Sequence, residues 1–372
     1  MYILGKRLAD IALPEGKVRN LFRQNLLALK AGEGLRIRLH LDPLVLVHLP
    51  WEFMALSQTS GESKPSDFLA LRREISIVRT DTVESAVRPL PAHNQVRIVA
   101  VLSSPLDQPH IEVNKDKRAI QKALQNLQKA VGQSLIQVTW VEEPATRQTV
   151  EQALEQEVDI FHFAGHAIFD EQGGNEGYIL LEKADGTSER YSGEQLAQLL
   201  RNAGVRLVIL GACDTGRRNG RNMWNGIAPA LTREKITAVV AHQFNIYDDC
   251  AILLADKVYY RVLAGFTIDE SLFEARQAMY QYKGLENRDW GAPVLYSHDK
   301  DGILFPTPGA DSASSIPGRP LVHVANAFNE VSGEVVDVDI QKAMRGDICI
   351  TDTIEVIKKD GMFTSLKIDE LG

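Results

Sequence analysis

The sequence predicts an α/β fold, a mainly parallel sheet flanked by helices, followed by a small C-terminal all-β module. Three observations lead there. Val158–Ala167 (VDIFHFAGHA) and Leu207–Gly216 (LVILGACDTG) are near-continuous apolar, β-branched runs, as strands buried on both faces are. Such runs alternate with helical periods up to about residue 300, which is the signature of parallel strands joined by crossover helices. After Pro306–Pro320 (PTPGADSASSIPGRP), a linker by composition, the apolar residues change to a period of two.

Leu35–Leu41 (LRIRLHL) alternates apolar and charged residues and reads as a half-solvated strand. Phe68–Val78 (FLALRREISIV) reads the same way, with Pro50–Met54 (PWEFM) a buried aromatic turn between them. Val96–Leu102 is a buried strand, followed by an amphipathic helix over Asn114–Val131, a strand at Leu135–Val141 and a helix at Arg147–Gln156. The Val158–Ala167 strand comes next, then a short strand at Tyr178–Leu181 that reads as a β-excursion. Ser192 and Gln195 form a capping box for a helix whose Leu196, Leu199 and Leu200 share one face, and Gly204 ends it. The Leu207–Gly216 strand and another at Ile236–Ala241 follow. Ile252, Ala255, Val258, Tyr259 and Val262 then set a helical period closed by Gly265. Thr267 and Glu270 cap a helix through Tyr282, and Val294–Tyr296 is the last strand. Beyond the linker, Gly333–Ile340, Asp352–Ile357 and Gly361–Ile368 read as hairpin strands without site chemistry.

At 372 residues, with 44% hydrophobic and 24% charged residues, the chain has no difficulty in building a core. A formal net charge of −8 argues against a nucleic-acid partner, because phosphate binding needs a basic face. The three cysteines, Cys213, Cys250 and Cys349, form neither a disulfide framework nor a zinc pattern. Met1–Ile11 is no signal peptide and no apolar run is long enough to span a bilayer, so a cytoplasmic location without membrane association is expected.

Two of the buried strands end at reactive residues. One delivers His166 and the other Cys213, and neighbouring parallel strands would set an imidazole beside a thiol at the carboxyl edge of the sheet. That is the requirement of nucleophilic thiol catalysis, in which the thiolate attacks and a base activates it. Cys250 lies in a helical face and Cys349 in an apolar run, so both read as packing residues. His162, between Phe161 and Phe163, reads as a core histidine, and His242 ends a strand and ranks behind His166 as a cleft residue. Arg217, Arg218 and Arg221 read as a solvated loop that also favours thiolate; Gly173, Gly174 and Gly220 mark loops around the cleft.

With these two stretches the chain resembles the CHAT peptidase family, caspase-like domains related to separase in clan CD. Further matches are Leu49-Pro50-Trp51-Glu52-Phe53, the helix Ile268–Tyr282 and Trp290–Leu295 (WGAPVL), so the resemblance spans roughly Leu35–Leu304. It implies a caspase-like fold, catalysis by His166 and Cys213, and an oxyanion hole from the N–H groups of Ala167 and Cys213. Ala167 stands where the family often has glycine, and no tetratricopeptide array is present. Phe244-Asn245-Ile246-Tyr247-Asp248 matches a separase-like stretch whose acid lies in the S1 pocket. Asp248, ahead of Asp249, is therefore the S1 candidate, with helix N-capping as its alternative role.

The resulting expectation is a cysteine endopeptidase that cleaves a protein partner after a basic residue, in a bacterial regulatory or defence pathway. A regulatory partner protein fits this reading, and the chemistry calls for no metal or organic cofactor. The alternative is a non-catalytic CHAT-like scaffold. The expected organisation is an N-terminal, pseudo-caspase-like part over residues 1–90, a catalytic domain over 91–305, a linker over 306–320 and the β module over 321–372.

Overall fold

The computed structural model describes residues 1–30, 33–41, 44–56, 64–80, 95–111, 113–131, 136–170, 176–211, 226–244, 246–299, 302–305, 335–337, 354–357 and 363–366. Two helices, α1 (Tyr2–Ala12) and α2 (Lys17–Ala28), precede the first strand. Then follow β1 (Leu35–His40), α3 (Leu44–Val47), β2 (Ile75–Thr80), β3 (Val96–Leu102), α4 (Val113–Val131), β4 (Ile136–Val141), α5 (Arg147–Ala153) and β5 (Ile160–Ala164). A small antiparallel sheet of β6 (Ala167–Asp170), β7 (Glu176–Glu182) and β8 (Ser188–Ser192) leads to α6 (Gly193–Asn202) and β9 (Leu207–Gly211). The series continues with α7 (Ile227–Arg233), β10 (Ala238–His242), α8 (Asp248–Leu263), α9 (Ile268–Lys283) and β11 (Pro293–Ser297).

Eight strands form one sheet in the order β1-β2-β11-β10-β9-β5-β3-β4. Every pairing is parallel except β10 with β11. Alternate residues of the central strands feed two cores. Ile160, Leu207, Ile209 and Val240 pack with residues of α4, α8 and α9, whereas Phe161, Phe163, Val208, Leu210 and Val239 pack with residues of α5, α6 and α7. Burial on both faces is why these strands read as unbroken apolar runs. Each fully buried large side chain of this kind contributes about 1.5–3 kcal/mol.

Several expected elements were displaced. Leu35–Leu41 was to be half-solvated, yet Arg36 is 4% exposed. Its guanidinium pairs with the buried Asp269 and donates to the Asp299 carbonyl at 2.6 Å, so the charge is satisfied inside. Phe68–Val78 is not one strand: short 3-10 turns cover Pro65–Asp67 and Leu69–Leu71, and only the second half extends into β2. The Arg147–Gln156 helix stops at Ala153. The Tyr178–Leu181 excursion is longer, as β7, and its two partner strands went unread.

Pro50–Met54 does form a buried turn, and Glu52 within it is the acid of a second internal ion pair. Arg79 donates to Glu52 at 2.8 Å and 3.2 Å and to the Val47 carbonyl at 2.7 Å, and Gln243 donates to Glu52 at 2.9 Å. This cluster ties β2 to the end of β10. The Ser192–Gln195 capping box is present, as is the Thr267 cap, and Gly204 and Gly265 follow α6 and α8 at φ of +81° and +87°.

Towards the C-terminus, β12 (Val335–Asp337), β13 (Ile354–Ile357) and β14 (Phe363–Leu366) pair antiparallel in that order. The linker lies outside the described residues. Among the described residues no helix is long and apolar enough to cross a membrane.

Candidate active site

At the carboxyl ends of the central strands, β5 and β9 lie side by side with Ala164 opposite Gly211. Just beyond, the Gly165 N–H donates to the Gly211 carbonyl at 3.3 Å. A Cβ at Gly165 would lie 2.6 Å from the Phe163 ring and 2.9 Å from the Ser103 carbonyl, so only glycine fits there. The chain then leaves the sheet at His166 and enters β6 at Ala167. His166 is thus past the end of β5, outside the strand that holds His162.

His166 is 7% exposed, and its Nε2 lies 2.7 Å from the Pro109 carbonyl oxygen. A carbonyl accepts only, so Nε2 carries the proton and Nδ1 is the basic nitrogen. Sequence reasoning missed Pro109, because a backbone carbonyl leaves no signature in residue types. The support around it was also unread. Ser103 donates from its hydroxyl to the Leu180 carbonyl at 2.9 Å. The buried Glu182 carboxylate accepts the N–H groups of Ser104 at 2.7 Å and Ala145 at 3.0 Å. These bonds clamp the small sheet to the segments that follow β3 and β4.

Ala167 opens β6, opposite Ile179. The Leu180 N–H donates to the His166 carbonyl at 2.9 Å, which makes His166 and Leu180 a hydrogen-bonded pair. The next residue of an antiparallel strand points its peptide groups the other way, so the Ala167 N–H faces off the outer edge of β6. Cys213 lies outside the described residues, as do Arg217, Arg218, Arg221, Gly173, Gly174, Gly220 and Cys349.

Asp248 is the first residue of α8, not its cap: the N-cap is Tyr247, without a side-chain cap bond of its own. Instead the buried Asp289 accepts the Tyr247 N–H at 3.0 Å. Of the Asp248 side chain nothing is described. Asp249 is exposed, accepts the Tyr282 hydroxyl at 2.9 Å and lies 4.0 Å from the Lys283 ammonium. Cys250 is buried, and burial followed by the Asp289 carboxylate pushes its thiol up to about 12, which holds it protonated and inert.

His162 and His242 line one cavity. It has room for about 30 Å³ over Gly211, walled by His162, Ile209, Val240 and His242 and roofed by α4 and α8. His162 Nδ1 is 2.9 Å from the Tyr259 hydroxyl, the satisfied core histidine that was expected. Burial, then His242, pushes His162 down to about 3, and burial pushes His242 down to about 4. Both are neutral at pH 7.

The profile of the CHAT domain family matches residues 4–298. No curated protein matches the sequence significantly. Among solved structures, the chain is similar to the Arg-specific cysteine proteinase gingipain R, at 13% identity and a TM-score of 0.47 over 80% of this chain and 70% of that one. It is similar also to the Saccharomyces cerevisiae separase–securin complex, at 13% identity and a TM-score of 0.37, spanning 63% of this chain and only 14% of that one. With four fifths of its length under the family profile, this chain belongs to the CHAT domain family.

Proposed function

We propose that the chain is a cysteine endopeptidase that cleaves a protein partner after a basic residue. The carrying observation is the pairing of Ala164 with Gly211, because His166 and Cys213 each stand two residues further along the chain from that pair. In this reading the Cys213 thiolate attacks the scissile carbonyl. The N–H groups of Ala167 and Cys213 hold the oxyanion, and water later hydrolyses the thioester. His166, its Nε2 proton engaged by Pro109, uses Nδ1 to support the thiolate and to protonate the leaving amine. Asp248 or Asp249 receives the basic P1 side chain in S1. The reading places the protein in the cytoplasm of a bacterium, in a regulatory or defence pathway. It divides the chain into an N-terminal part (1–90), a catalytic domain (91–305), a linker and a C-terminal β module.

Incubation with an arginyl chloromethyl ketone, followed by peptide mapping, tests the nucleophile. Alkylation is expected at Cys213 and not at Cys250 or Cys349. Cys213→Ala and His166→Ala are each expected to lower cleavage of an arginyl peptide by about a thousandfold or more with the fold retained. Full activity in Cys213→Ala overturns the reading. Absence of labelling together with absence of cleavage favours the non-catalytic scaffold. A library preference for aspartate at P1 would overturn the S1 assignment, since two carboxylates repel.

A further inference from the structure

We infer that the outer edge of β6 is a docking strand for the substrate, pairing in parallel with the extended segment that follows the scissile bond. The inference rests on the peptidase reading above and assigns residues to the leaving side of the cleft.

The hydrogen-bond phase of β6 is fixed by the His166–Leu180 pair, with Ala167 opposite Ile179 and Phe169 opposite Gly177. Ile168 and Asp170 therefore turn their peptide groups to β7, and Ala167 and Phe169 turn theirs outward. β6 ends the order β6-β7-β8, so among the described residues no strand pairs with that edge. Ala167 and Phe169 are half-exposed, and their four outward peptide groups find no backbone partner among the described residues. An unpaired edge is a ready template for an extended chain. This one begins one residue after His166.

Strand order sets the polarity. β9 lies between β10, which leads to Asp248, and β5, which leads to His166. A peptide that crosses these strand ends with its basic side chain on the β10 side carries its leaving amine to the His166 side. β6 runs away from His166, and so do the residues after the scissile bond, which makes the pairing parallel. In a parallel ladder the outward residue donates to one carbonyl and accepts the N–H two residues further on. With the Ala167 N–H on the P1 carbonyl, the Ala167 carbonyl takes the P2′ N–H and the Phe169 N–H reaches the P2′ carbonyl. The P3′ N–H points away. One ladder thus joins the oxyanion donor to the grip on the leaving segment. It requires an extended stretch without proline at P2′.

The test uses the full chain and three internally quenched peptides of one sequence with arginine at P1: unmodified, N-methylated at P2′, and N-methylated at P3′. An arginyl coumarin amide, which has no residues after the scissile bond, is assayed beside them. Loss of one hydrogen bond is expected to lower kcat/KM about 3- to 10-fold for the P2′ peptide, with the P3′ peptide unchanged. Equal rates for all three peptides, or equal losses at P2′ and P3′, overturn the pairing while leaving the peptidase reading intact. No cleavage of any peptide or of the coumarin amide, with no alkylation of Cys213, overturns the peptidase reading and this inference with it.

Discussion

Acidification is expected to unfold this protein through two histidines that have no part in the proposed chemistry. His162 and His242 line one buried cavity, held down to about 3 and about 4 by burial, against 6.5 for a free imidazole. A folded-state value below the unfolded one means that the unfolded chain binds protons first. Their contribution is therefore complete above pH 6.5 and is lost as pH falls towards the folded values. At pH 4.5 the unfolded chain carries both protons and the folded chain few. The linkage comes to about 2.5 kcal/mol for each group and about 5 kcal/mol for the pair, a large share of an ordinary domain's stability. His242 Nε2 has no hydrogen-bond partner among the described residues, so His242→Gln breaks no bond there. Urea unfolding of wild type and His242→Gln, followed by tryptophan fluorescence at pH 7.0 and 4.5, measures the effect. The variant is expected to lose about half as much stability on acidification as wild type. Equal losses in the two proteins would refute the linkage to this cavity.

Two further substitutions probe the scaffold. Glu52→Gln leaves the Arg79 guanidinium, 2% exposed, without its acid, and is expected to cost about 3–5 kcal/mol in urea unfolding at pH 7; a loss under 1 kcal/mol would contradict the role given to the pair. Gly226→Ala would bring a Cβ within 2.2 Å of the Gly177 backbone nitrogen where α7 meets the small sheet. Overpacking against backbone is expected to cost about 3 kcal/mol or more, and an unchanged Tm would show that the two segments yield easily.

How far the sequence was legible follows from what each signal measures. Apolar runs report burial on both faces, so β3 could be read to the residue and the buried stretches of β5, β9 and β10 could be located. The β5 and β9 runs extend past their strands, however, and α7, between β9 and β10, went unread. Charge alternation reports chemistry but not partners. Arg36 looked solvated because its acid, Asp269, lies 233 residues away in sequence. β6 and β8 were too short and too mixed in character to register, although they carry the chain away from His166. Asp248 looked like a helix cap by residue type, but the orphan N–H at that end is taken by Asp289 from another part of the chain. His166 was singled out from its place at the end of a run, whereas the carbonyl beside its Nε2 belongs to Pro109 and is invisible to any residue pattern.

The histidines of the β5 region show what turns one side-chain type into two different devices. His162 lies within the strand, so both neighbouring strands are continuous around it and helix α8 closes over it. Burial keeps its ring neutral at pH 7, and its Tyr259 bond satisfies a buried group. Four residues on, the ladder has ended. Gly165 lets the backbone pass Ser103 closely, and His166 meets a carbonyl rather than a hydroxyl. A carbonyl partner at Nε2 fixes the tautomer and leaves Nδ1 as the basic nitrogen, which is what a thiol partner across the strand ends would use. The division of roles follows from where the strand stops.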